Sequence, residues 1–152
     1  MNELIKTLHS GNYSCVIRSL DEIYTFSQRG VADLYDLVNN KPDFLKGASI
    51  ADKIVGKAAA ALMISGGITE LYAEVISSPA LTLIREAGIA VSFGQVVPFI
   101  ENRDKTDWCP LEKMCSDETS AESIFPRITE FIEKMKEKHL VQGTGCRANG
   151  TG

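Results

Sequence analysis

Histidine and cysteine are scarce, and neither is grouped as chemistry that needs them in clusters would require. The only imidazoles, His9 and His139, lie near the two ends of the chain, and neither has a neighbour at metal-binding spacing. The four cysteines, Cys15, Cys109, Cys115 and Cys146, are scattered, which argues against a disulfide framework and for reduced thiols in a cytoplasmic setting. Long apolar runs are missing as well: the longest, Ala58–Ile64, stops at Ser65-Gly66-Gly67, far short of the ~20 residues of a spanning helix. The first ten residues mix Glu3 and Lys6 with apolar neighbours and have no basic start, apolar stretch or small-residue cleavage site, so no secretion signal is expected. No Lys/Arg-rich run exists, and 16 basic residues against 20 acidic leave a net charge of −4. Nucleic-acid and membrane-surface partners are therefore not expected.

What is present is the patterning of one α/β domain. A chain of 152 residues can bury one core but not two comfortable ones. Tyr13–Ile17 and Ile23–Phe26 are rich in Val, Ile and aromatics and flank a polar turn over Arg18–Glu22, so the fold is expected to open with a hairpin. Val31, Leu34, Tyr35 and Val38 mark a short helix ended by Asn39-Asn40 and Pro42. Ser49 with Asp52 three residues later predicts a capped helix running through Ile50, Ile54, Ala58, Ala61 and Leu62 to the Gly66-Gly67 stop, buried in its second half. Glu70–Ile76 reads as a strand, Pro79–Ala87 as a helix opened by Ser78 and closed by Gly88, and Ile89–Phe93 as a strand. A last helix is expected near Ser120 or Ser123, docking Ile124, Ile128, Phe131 and Met135. This alternation predicts a mixed sheet with flanking helices, a single domain over 1–141 and a glycine-rich, disordered tail over 142–152.

Lys57 is the most informative single residue, because it leads into four alanines on a helix expected to be buried. Such a lysine either packs its stem and reaches a carboxylate such as Glu74, or binds an anion, or serves as an amine nucleophile. Lys53 lies four residues earlier beside Asp52, and on one helix face two lysines could clamp a phosphate or carboxylate. The loop Asn102-Arg103-Asp104-Lys105-Thr106-Asp107-Trp108-Cys109-Pro110 concentrates donors, acceptors, a thiol and a ring. Pro110 suits the first position of a short helix carrying Leu111, Glu112 and Met114, placing Cys109 at its start, where a thiolate is favoured. No histidine is placed by the sequence as its base, so an inert Cys109 stands beside the reactive one.

Taken together, Cys15-Val16-Ile17, the run from Gly47 to Ala59, Val75-Ile76-Ser77, and Asn102-Arg103 through Thr106 to Cys109-Pro110 resemble domain-of-unknown-function family 1893. The resemblance implies a cytidine-deaminase-like fold, a three-layer arrangement with a mixed sheet, and implies no activity. Zinc deaminases place a His-x-Glu on one helix start and Pro-Cys-x-x-Cys on the next, around a metal-bound water. On that comparison Val55-Gly56-Lys57 and Pro79-Ala80-Leu81-Thr82-Leu83 fall at those places, so the zinc ligands and the proton-shuttling carboxylate are absent. The expectation is a zinc-independent binding or regulatory domain for a small anionic or nucleotide-like ligand, with no cofactor and no metal. Ligand contacts are expected from Asp52, Lys53, Lys57, Asn102, Arg103 and Thr106. The alternatives are an enzyme using Cys109 or Lys57 on a nucleotide or carbonyl substrate, and a structural or assembly role; a homo-oligomer fits any of the three.

Overall fold

The structure, a computed structural model, describes residues 1–27, 31–100 and 110–134. The chain opens with a helix, α1 (Asn2–Ser10), and not with strands. Its apolar stripe is narrow, Leu4 and Leu8 one turn apart with Met1 and Ile5 beside them, and a stripe that short is easily passed over. Next come β1 (Cys15–Ser19), β2 (Glu22–Phe26), α2 (Ala32–Asn40), β3 (Ser49–Val55), α3 (Lys57–Gly66), β4 (Glu70–Ser77), α4 (Ser78–Glu86), β5 (Ala90–Val97) and α5 (Pro110–Cys115). The described part of a sixth helix, α6, covers 121–134.

The five strands form one sheet in the order β2-β1-β3-β4-β5. β1 pairs antiparallel with both β2 and β3, while β3, β4 and β5 run parallel. The hairpin turn is tighter than the expected Arg18–Glu22: only Leu20 and Asp21 lie outside the ladder, with φ of 52° and 68°, the backbone of a two-residue primed turn. Alternation along β1 and β3 sorts the layers. Val16 and Ala51 face α1, with Tyr13 and Tyr72 packed beside them, whereas Cys15, Ile17 and Ile50 face the main core built with α2, α3, α4, α5 and α6.

The capped helix expected from Ser49 does not form there; Ser49–Val55 is a strand in the middle of the sheet. Ile50, Ile54 and Val55 are β-branched and favour the pleated surface, and every residue of this stretch up to Asp52 pairs with both β1 and β4 or lies at the end of a ladder. Helix begins only after Gly56, and it is buried almost from its first residue, Lys57 through Met63. It ends at Gly67, whose φ of +84° provides the left-handed cap; Gly67 N–H donates to Met63 and Ile64.

The expected β4 is present and continues by one residue to Ser77, which, rather than Ser78, is the N-cap of α4: its Oγ accepts from Ala80 N–H at 3.3 Å. Pro79 lies in the first turn of α4, as expected. The strand expected over Ile89–Phe93 runs further, from Ala90 to Val97. The last helix is capped by Ser120 and Ser123 reciprocally, Ser123 N–H to Ser120 Oγ at 3.1 Å and Ser120 N–H to Ser123 Oγ at 3.3 Å, and it buries Ile124 and Ile128. Met135 and the tail over 142–152 lie outside the described residues.

One row of the parallel ladder is broken. The pairs on either side of Lys53, Glu74 and Gly94 are in register, but those three residues are not paired. Across that row the core-facing positions change parity, from Ile50 on β3 and Leu71 and Ala73 on β4 to Val55 and Ile76. A Cβ on Gly94 would lie 2.9 Å from the Glu74 carbonyl oxygen, so the close approach at this row needs glycine. The shift aims Val55 and Ile76 into the core beneath the starts of α3 and α4, where the candidate site lies.

Candidate functional site

The parallel strands β3 and β4 each hand over directly to a helix, so the starts of α3 and α4 lie at the carboxyl ends of adjacent strands. Open α/β sheets take their ligands at that end. The two starts are satisfied differently. That of α4 is capped by its own Ser77. That of α3 follows Gly56, which has no side chain to offer, and its acceptor comes from far along the chain.

The acceptor is Glu112 of α5. Its Oε1 accepts from Lys57 N–H at 3.0 Å and its Oε2 from Ala58 N–H at 3.3 Å. The carboxylate is 7% exposed and sits against the positive end of the helix dipole. Burial pushes its carboxyl above the ordinary value, while the two N–H donors and the nearby Lys57 charge pull the other way. Gly56 makes room for it: a Cβ there would lie 2.5 Å from Glu112 Oε2. A pair of N–H groups closing on one buried carboxylate, with the Lys57 charge nearby, is the chemistry of an anion receptor, filled here by the protein's own side chain.

Lys57 itself is 8% exposed. Its ammonium does not reach Glu74, as one reading of the sequence expects; Nζ donates to the Ser116 carbonyl at 3.1 Å, just beyond the end of α5. Glu74 instead faces His9 of α1, Nε2 to Oε1 at 2.5 Å. α5 is thus held to the start of α3 at two points, through Glu112 and through the carbonyl of Ser116, and Leu111 and Cys115 anchor it in the core. Cys115 is an inert thiol in this setting: burial first, then the Glu112 charge, push it up to about 11.

The expected lysine clamp is not built. Lys53 stands on β3 and Lys57 on α3, so they share no helix face, and Lys53 Nζ donates to Asn12 Oδ1 at 3.2 Å. Asp52 is also placed differently from a ligand contact or a helix cap. It pairs with Cys15 across β1 and β3, on the face of the main core, and is 8% exposed. Its Oδ1 accepts from Ile54 N–H at 3.3 Å. Burial raises its carboxyl to about 7, against smaller opposing effects from that N–H and the Cys15 thiol. Asn102, Arg103, Thr106 and Cys109 lie outside the described residues.

A groove of about 490 Å³ elsewhere, between α2 and α6, is lined by Asp33, Asp36, Asn39 and Asn40. Two carboxylates make it unsuited to an anion. Among the described residues no group of three or more His, Cys, Asp or Glu side chains could hold a metal ion, and no helix is long and apolar enough to cross a membrane.

These features define an α/β domain with a five-stranded mixed sheet, flanking helices and an internally occupied helix start at the carboxyl ends of its parallel strands. Residues 3–132 match the profile of a domain of unknown function, DUF1893, and the chain belongs to that family. It is similar to the crystal structure of a DUF1893 family protein (TM1506) from Thermotoga maritima, with 29% sequence identity, a TM-score of 0.77, and coverage of 85% of this chain and 87% of that one. No curated protein matches the chain.

Two expectations follow from these carboxylates. Because Asp52 holds its proton more tightly folded than unfolded, its contribution to stability is full below about pH 4 and is lost as pH rises towards about 7. Urea unfolding of the wild type across that window should therefore lose up to roughly 4 kcal/mol more than Asp52→Asn does. Equal slopes in the two proteins would remove Asp52 from the account. Separately, Glu112→Ala leaves two buried N–H groups without an acceptor and should cost about 1–3 kcal/mol. Gly56→Ala should expel the same carboxylate, so the two losses should be well short of additive in the double variant; additive losses would show that Gly56 and Glu112 act independently.

Proposed function

We propose that this chain is a zinc-independent domain that binds a small anionic or nucleotide-like ligand on a cytidine-deaminase-like scaffold. The scaffold reading is supported by the antiparallel hairpin beside three parallel strands, and by helix starts at the ends of adjacent strands, where zinc deaminases carry their ligands. Zinc does not fit the positions that this comparison equates with the deaminase ligands. Val55, Ala80 and Leu83 are buried apolar residues with no lone pair to give, and Lys57 brings a cation to the place of an acid.

The observation that carries the reading is the convergence of Lys57 N–H and Ala58 N–H on a buried carboxylate, with the Lys57 side chain buried alongside. A helix start arranged this way holds a phosphate as readily as a carboxylate. Glu112 is the occupant that a ligand would replace. Exchange costs little in charge, since one anion leaves the N–H groups as another arrives, and α5 would move. In this reading Asn102, Arg103, Thr106 and Cys109, which precede α5 in the sequence, are further contacts of the ligand. Specificity would come from those side chains, and affinity for the anionic group from α3.

A thermal-shift screen with inorganic phosphate, nucleosides, nucleotides and phosphorylated metabolites tests it on the wild type, Lys57→Ala and Glu112→Ala. A compound at a hundred times its dissociation constant should add about 2.7 kcal/mol, several degrees in melting temperature for a chain of this size. The shift should be larger in Glu112→Ala, where the internal competitor is gone, and lost in Lys57→Ala. Silence from every compound in both the wild type and Glu112→Ala, or a shift undiminished in Lys57→Ala, would overturn the reading.

A further inference from the structure

We draw no further inference here: the strongest candidate, the groove between α2 and α6 that Asp33 and Asp36 line, is a pair of carboxylates alone, and no second feature of the groove among the described residues points to a ligand.

Discussion

A helix buried from its first turn has to find acceptors for N–H groups that water cannot reach. In this protein α3 enters the core at once, with Lys57 through Met63 all buried, and the residue before it is a glycine. Glu112, 55 residues away in sequence, supplies the missing oxygen atoms. Much of the remaining arrangement follows from that requirement. α5 must lie across the carboxyl ends of the parallel strands, Gly56 must stay small enough to admit the carboxylate, and Lys57 is brought to the end of α5, where its ammonium meets the Ser116 carbonyl. The same geometry makes this end of the sheet a place where an anion is already bound.

Among the described residues two carboxyl groups are buried, and the contrast between them separates structure from candidate function. Asp52 lies among apolar core residues beside the Cys15 thiol and the backbone N–H groups of Lys53 and Ile54, and burial, the largest effect, raises it to about 7. Glu112 is likewise raised by burial, but it sits at a helix start, where two N–H donors and a nearby lysine charge oppose that rise. Only the second arrangement offers a position that a ligand's own anionic group could take. The buried cysteines reinforce the point: Cys15 is pushed well up by burial and by Asp52, and Cys115 by burial and Glu112, so neither thiol is activated.

Where the sequence carries local punctuation, the elements are legible. Pro79 and the serines before it mark the start of α4, Gly66-Gly67 marks the end of α3, and the alternating apolar residues of Glu70–Ile76 mark β4. Ser49–Val55 misleads because Ile50, Ile54 and Ala58 are four residues apart, a spacing that satisfies a helical face and a strand face alike. The β-branched residues and Gly56 are the signals that favour strand. Lys57 stands out in the sequence as a charge among alanines, and the structure places it at the candidate site. Glu112 does not stand out, since nothing near it in sequence says that its carboxylate serves a helix start 55 residues earlier; a glycine where α3 needs a cap is the one clue that a distant acceptor exists. The clamp of Lys53 with Lys57 fails for the same reason as the helix beneath it: the chain changes from strand to helix between them.

Backbone amide resonances report most directly on whether the α3 start is an exchangeable anion site. In a nitrogen–proton correlation spectrum of the wild type titrated with inorganic phosphate, the Lys57 and Ala58 amides should shift saturably, and the resonances of α5 should move with the same midpoint as Glu112 gives way. Shifts confined to exposed surface amides, with Lys57, Ala58 and α5 unmoved, would contradict it and leave Glu112 as a permanent structural cap.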